Sequence, residues 1–447
     1  MKKLLLFLAL LFVLLGIALV YFQSHLKIIT GNVAKRTCSC MFIADRTLES
    51  VNAQENSFSV LSLATAKVDQ TKKIAEASFW GMATQTAIYR EGLGCALTTE
   101  SVNSTQLQQQ QMPSLQASLA NAKNRTWPMG DIVVDSLLPS FDQKKLNAAI
   151  ATAFKDPLEN TRAVVILKNG QLIGEQYAEG FDKDTPILGW SMTKSITNAL
   201  VGILVKEGKI DIHQAVDIPE WKQDERAKIT MHNLMQMSSG LKWGEIYTGP
   251  SDVTRMLSLD ADMYQRAISV PAETPPDTKF YYSSGTTNIV AGLIKKHFSS
   301  LADYWAFAHT ALFDKIGMHS AVMEPDAAGT FVGSSYCYAT PRDWAKFGQL
   351  YLNDGVWEGE RILPEGWVEY THTPAKASEN GYGAFFWLNQ DGEMADVPKN
   401  TYSCQGFQGQ RVFILPDQDL VVVRMGLSDV GVVDFNGFLK RILESGI

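Results

Sequence analysis

Two residues three apart, Ser191 and Lys194, stand at the head of an apolar run and are of types that can make a nucleophile and its base. On a helix, positions i and i+3 are neighbours, with Cβ atoms roughly 5–6 Å apart. A serine hydroxyl is a poor nucleophile until a neighbour takes its proton. A lysine does so once burial or nearby charge lowers its pKa enough to leave it neutral. A helix N-terminus adds positive potential and free N–H groups that can hold a developing oxyanion. Ser-x-x-Lys occurs three times, at Ser24/Lys27, Ser191/Lys194 and Ser239/Lys242, so context chooses among them. Ser24 follows a hydrophobic N-terminal segment, and Ser239 precedes Gly240 and reads as a loop. Ser191 opens a long amphipathic run, with Ile196, Ala199, Leu200, Ile203 and Leu204 at helical spacing and Gly208 as a stop. The competing reading is a capping hydroxyl at an ordinary helix start.

Two later segments add to this pair. Phe280-Tyr281-Tyr282-Ser283-Ser284-Gly285 precedes an apolar helix through Ile289, Leu293 and Ile294, and Gly406-Phe407-Gln408-Gly409-Gln410 precedes a strand through Val412 and Leu415. In this order the three segments resemble the serine β-lactamase and penicillin-binding-protein superfamily on its class C side, above all class C-like esterases and 6-aminohexanoate-dimer hydrolases. The resemblance covers residues 130–447 and includes Ile229 to Leu241, similar to that family's helix and loop between the first two motifs. It implies that Ser191 is the nucleophile, Lys194 its base and Tyr282 the phenol that passes a proton to the leaving group. Tyr281 is the rival to Tyr282 by one residue. Ser284 stands where many relatives have asparagine. Tyr247 resembles a loop tyrosine that contacts substrate in amide-hydrolysing relatives. Trp190, Trp243 and Trp387 are further candidates to line a cleft.

The third segment departs from the β-lactamases, because no Lys-Thr-Gly or Lys-Ser-Gly occurs in the chain. Phe407, Gln408 and Gly409 look like the glycine-rich replacement of esterase and amide-hydrolase relatives, whose backbone N–H completes an oxyanion hole. The expected activity is acyl-enzyme hydrolysis of a small ester or amide, or a peptide, with poor β-lactamase turnover. The alternatives are a D,D-peptidase or β-lactamase, and a non-catalytic module that binds peptidoglycan or acts as a sensor on the same fold.

Other chemistries fit badly. Gly189-Trp190-Ser191-Met192-Thr193 ends in threonine and so fails the Gly-x-Ser-x-Gly elbow. The seven histidines show no His-Glu-x-x-His or Cys/His ligand spacing, so no metal or organic cofactor is expected. A net charge of -7 with no long basic run argues against nucleic acid as a partner.

Lys2 and Lys3 precede an apolar run from Leu4 to Phe22, long enough to cross a bilayer and without a clear cleavage site. Residues 1–28 are therefore expected to be a signal anchor, or else a cleaved signal peptide, with the catalytic domain in the periplasm or outside. Cys38, Cys40, Cys95, Cys337 and Cys404 are odd in number, so one thiol stays unpaired in a monomer, and Cys38 with Cys95 is one candidate bridge.

Residues 29–130 read as a family-specific extension, with Thr105 to Met112, rich in glutamine, as a flexible connector. Residues 131–447 form the hydrolase domain. There, Ala163–Leu167 and Leu172–Glu175 flank an Asn-Gly turn, and Val412–Leu415 and Leu420–Arg424 flank residues 416–419, which predicts two hairpins. Phe435 to Glu444 suits a closing helix, and Thr340-Pro341 caps another. Strands at both ends around mostly helical sequence predict an α+β fold: an antiparallel sheet flanked by helices with an inserted all-helical lobe. The superfamily has that architecture.

Overall fold

The computed structural model describes residues 2–113, 125–133 and 141–447. The chain forms two compact units. The first comprises Met1–Arg90, Gly94–Gln110 and Gly244–Ala261, and the second Glu91–Leu93, Gln111–Trp243 and Asp262–Ile447.

In the first unit the helix Lys2–Phe42 packs on an antiparallel meander of β1 (Thr65–Asp69), β2 (Ile74–Phe79), β3 (Met82–Arg90) and β4 (Gly94–Leu97). Val33, Ala34 and Cys38 of the helix share a core with Ala75, Ala77 and Ala87 of the sheet, and a disulfide joins Cys38 to Cys95. The helix Asp252–Leu259 crosses the first helix so closely that a Cβ on Gly31 would lie 2.7 Å from Ser258 O. Only a glycine permits that approach.

For most of Leu4–Phe22 the helical backbone alone is described, so the expected membrane span lies outside the described residues. Among the described residues no helix is long and apolar enough to cross a membrane.

The glutamine-rich stretch is not the flexible connector expected. Ser104–Gln108 is a helix, because Asn103 and Gln106 form a reciprocal capping box that satisfies two N–H groups at its start. Leu107 is buried, and Arg90 Nη1 donates to Gln110 Oε1 at 2.5 Å.

The second unit is built on a six-stranded antiparallel sheet. Its strands are β5 (Thr161–Lys168), β6 (Gln171–Tyr177), β7 (Trp387–Leu388), β8 (Tyr402–Gly406), β9 (Gln410–Leu415) and β10 (Leu420–Gly426), in the order β7-β8-β9-β10-β5-β6. Strand period sets the two faces. Val164, Ile166, Phe413 and Val422 meet Leu146, Ile150, Phe438, Leu439 and Ile442 from the helices Gln143–Thr152 and Phe435–Leu443. The other face takes the helix Pro341–Leu352, where a Cβ on Gly348 would lie 2.7 Å from Val412 and Val421.

Both expected hairpins form. Asn169 and Gly170 hold φ of 50° and 72°, the pair of positive angles a two-residue hairpin turn needs. Because β10 pairs with β5, the two ends of the domain close on each other, and the helical sequence between β6 and β7 is inserted between them.

Candidate active site

Ser191 lies on a short 3-10 turn, Trp190–Met192, that runs into the helix Thr193–Lys206. The turn is held on several sides. Thr193 Oγ1 donates to Trp190 O at 2.7 Å and accepts from Cys337 N at 3.0 Å, and Gly189 N donates to Cys337 O at 2.9 Å. A Cβ on Gly189 would lie 2.2 Å from the Trp344 ring. Trp190 sits at φ 49°, a left-handed conformation unusual for a bulky residue, and such strain persists only where the surroundings impose it.

One turn on, Lys194 is 1% exposed. Its Nζ lies 3.1 Å from Ser191 Oγ, 3.2 Å from Ser284 Oγ and 3.0 Å from Ser334 O. Ser284 is brought there by the helix Ser284–Lys295, whose N-cap Ser283 accepts from Thr286 N at 3.0 Å. Behind it, a Cβ on Gly285 would lie 2.7 Å from the Trp243 ring.

Tyr282 stands just before that cap. Lys194 Nζ lies 4.7 Å from its ring centroid. The ring is packed by Trp387 at 5.4 Å and, edge-on, by Tyr382 at 6.0 Å. The rival Tyr281 is exposed, and Lys279 lies over its ring.

The Gly406–Gly409 segment abuts the residues that precede Ser191. A Cβ on Gly406 would lie 2.1 Å from Gly189 O. Trp190 Nε1 donates to Gln408 Oε1 at 3.2 Å, and the Phe407 ring meets Trp190 edge-on at 5.8 Å. Gln408 and Gly409 take φ of 63° and 81°.

Two arginines hold this turn. Arg411 Nη1 donates to Gly406 O at 3.1 Å and to Gln410 O at 2.9 Å. Arg424 Nη1 donates to Gly409 O at 3.0 Å. Desolvation lowers the Arg411 guanidinium to about 10, with Glu393 and Tyr282 opposing the shift, and lowers Arg424 to about 9 against Glu159. Both remain cations at neutral pH.

Ser191, Lys194, Tyr282 and Ser284 thus share one cluster, and Phe407, Gln408 and Gly409 form the turn packed on Trp190. Tyr247 belongs to the first unit, where its hydroxyl donates to Glu245 Oε1 at 2.9 Å. Three members escaped the sequence reading. Ser334 offers Lys194 a main-chain oxygen, which no side-chain pattern announces. Asn288 donates to Ser334 Oγ at 3.1 Å from the turn after Ser284. Arg424 had a signal: it is the only charge in the apolar strand Leu420–Gly426. Among the described residues no group of His, Cys, Asp and Glu side chains is placed to hold a metal.

The sequence profile of the Beta-lactamase family matches residues 150–436. The chain belongs to the Beta-lactamase family. As a member it is a serine hydrolase, and the resemblance read from its three motifs is borne out.

A 6-aminohexanoate-dimer hydrolase of Paenarthrobacter ureafaciens is 25% identical over 292 residues, which is 59% of this chain and 72% of that protein. A solved structure from Bacillus anthracis, assigned as a 6-aminohexanoate-dimer hydrolase, superposes with a TM-score of 0.58 at 22% identity, covering 70% of this chain and 87% of the other. A family VIII carboxylesterase gives 0.54 at 17% identity over 70% and 99%. These structural likenesses bear out the Beta-lactamase family fold expected from the sequence.

Proposed function

We propose that this Beta-lactamase family member cleaves small esters or linear amides through an acyl-enzyme at Ser191. The observation that carries the reading is Lys194 Nζ, buried and 3.1 Å from Ser191 Oγ. Neutral Lys194 takes the hydroxyl proton as Oγ bonds to the substrate's carbonyl carbon. The carbonyl becomes an oxyanion, which N–H groups of Ser191 and the Gly406–Gly409 turn stabilise. Its collapse breaks the bond to the alcohol or amine, which leaves with a proton passed through Tyr282. Water then repeats the sequence on the acyl group with Lys194 as base and releases the acid.

The named activity of the Paenarthrobacter relative and of the carboxylesterase supports an amide or ester substrate over a lactam. So does Arg411, whose Nη1 is directed at main-chain carbonyls.

We further propose that residues 1–28 anchor the protein and that the hydrolase domain, residues 131–447, works on the exported side. The apolar run Leu4–Phe22 and the Cys38–Cys95 disulfide, a bond typical of oxidising compartments, support this.

The decisive experiment is labelling of the purified protein with a fluorophosphonate, alongside Ser191→Ala. Covalent labelling at Ser191, with loss of both label and p-nitrophenyl acetate turnover in the folded variant, is the expected result. A folded Ser191→Ala protein with near-native turnover would overturn the assignment.

A further inference from the structure

The turn beside Ser191 lacks the lysine-bearing strand of the β-lactamases, yet two cations of this chain, one buried and one half-buried, converge on it. Arg424 is 1% exposed and lies on an otherwise apolar strand. A buried charge is costly unless its hydrogen bonds are satisfied. Its acceptors are Gly409 O at 3.0 Å, Glu159 O at 2.5 Å, and Thr161 Oγ1 and Ser428 Oγ, both at 2.8 Å. A Cβ on Gly409 would lie 2.4 Å from Arg424 Nη1, so glycine at this position lets the guanidinium reach the turn. Arg411 reaches the same turn from β9. Its Nη1 holds Gly406 O and Gln410 O while the guanidinium carbon lies 4.4 Å from the Phe435 ring centroid.

The consequence follows from the planar trans peptide, in which C=O of one residue and N–H of the next point in opposite directions. Fixing Gly406 O directs Phe407 N–H away from Arg411. Fixing Gly409 O does the same for Gln410 N–H with respect to Arg424. Gln408 O, between them, accepts from Ser428 N at 3.1 Å and Gln410 Nε2 at 3.3 Å, which sets Gly409 N–H. Each peptide of the turn whose carbonyl is held has a fixed plane, and the turn as a whole abuts Gly189 and Trp190.

We propose that Arg411 and Arg424 are positioning residues for the reaction. They fix the peptide planes of the Gly406–Gly409 turn so that its N–H groups are already aligned for the oxyanion formed at Ser191. This rests on Ser191 being the nucleophile. Neither arginine touches substrate in this scheme. They act through the main chain, in place of the side-chain lysine that the third motif lacks.

The test uses the full chain with Arg411→Lys, Arg424→Lys, Arg411→Met and Arg424→Met, and Ser191→Ala in parallel. kcat and KM are measured for p-nitrophenyl acetate, and affinity for phenylboronic acid, whose tetrahedral serine adduct mimics the oxyanion. Misaligned donors should lower kcat about ten- to a hundredfold, with KM within about threefold and boronate affinity falling in step with kcat. Lysine keeps the charge but not the planar guanidinium whose Nη1 holds these carbonyls, so the Lys variants should stay folded and still lose rate. If a Met variant fails to fold, the Lys variants decide. Folded variants with kcat within about threefold of wild type, or a loss of kcat without a matching loss of boronate affinity, would overturn the proposal. An inactive Ser191→Ala beside fully active arginine variants would refute the positioning role alone. An active Ser191→Ala would refute the nucleophile and the positioning role together.

Discussion

Gly406→Ala adds one methyl group where the Gly406–Gly409 turn abuts the residues that precede Ser191. The new Cβ would stand 2.1 Å from Gly189 O and 3.0 Å from Gln410 Cβ. An ordinary carbon–oxygen contact needs about 3.3 Å, so the two turns must separate by about 1.2 Å. Backbone conformation adds no penalty, since Gly406 has φ -129° and ψ 159°, open to alanine. The damage is therefore steric and local to Gly189-Trp190-Ser191. A misplacement of about 1 Å costs about a hundredfold in rate, or about 2.7 kcal/mol of transition-state stabilisation. Overpacking should cost about 1–3 kcal/mol of stability as well, which leaves the protein folded at room temperature. The assay is kcat/KM for p-nitrophenyl acetate beside a thermal melt. Gly249→Ala serves as the control, because nothing lies within 4 Å of a Cβ there. A folded Gly406→Ala enzyme with kcat/KM within threefold of wild type would refute the reasoning that contact between these turns sets the reacting geometry.

Lys194→Arg should keep the protein folded and lower kcat about a hundred- to ten-thousandfold, because arginine does not give up its proton in a protein; an active variant, by the same ester assay, would make Lys194 an electrostatic partner only. A chromogenic cephalosporin should show kcat/KM at least about tenfold below that of the ester, from the missing charge-assisted contact worth roughly 1.5–3 kcal/mol; equal values on one preparation would restore the β-lactamase reading. Burial pushes the His309 imidazole down to about 4, and His319 adds to the shift. The unfolded chain takes up that proton near 6.5, so the stability linked to neutral His309 is whole above pH 6.5 and is lost as pH falls toward 4. Tm should drop between pH 7 and pH 4 and drop less in His309→Gln; equal drops would show that His309 is not the group responsible.

What was legible in the sequence was local. Ser191 and Lys194 declare their geometry because helix period brings i and i+3 together, and Asn169-Gly170 and Thr340-Pro341 announce a turn and a helix start through backbone preferences that need no partner. What was illegible depends on residues far apart in the chain. Ser334 meets Lys194 across 140 positions through a carbonyl, and every residue has one. The glutamine-rich stretch looks like a connector by composition alone, but glutamine is a good helix former and the Asn103/Gln106 capping box starts a helix there. The segment Gly244–Ala261, which carries Tyr247, folds with the first unit although it interrupts the sequence of the second. Its allegiance comes from packing such as Gly31 against Ser258, which no pattern within 244–261 reveals.

Substrate choice follows from where the charges of this site are directed. Arg411 is a cation beside the third motif, and in principle a substrate carboxylate could recruit it. Its Nη1 already donates to two main-chain carbonyls and its guanidinium lies against Phe435. Turning it toward a substrate would release Gly406 O and so free the peptide whose N–H is to meet the oxyanion. Binding an anion and stabilising the transition state would then compete for one side chain, and uniform ground-state binding does not raise kcat. Tyr282, which packs near Lys194, also packs with Tyr382 and Trp387 at 5.0–6.0 Å, a cluster of apolar ring faces. Under the proposed acyl-enzyme reading, a cation held by its own backbone and a cluster of aromatic rings favour the same substrates: esters or amides with an apolar body and no carboxylate at the position a lactam antibiotic presents one.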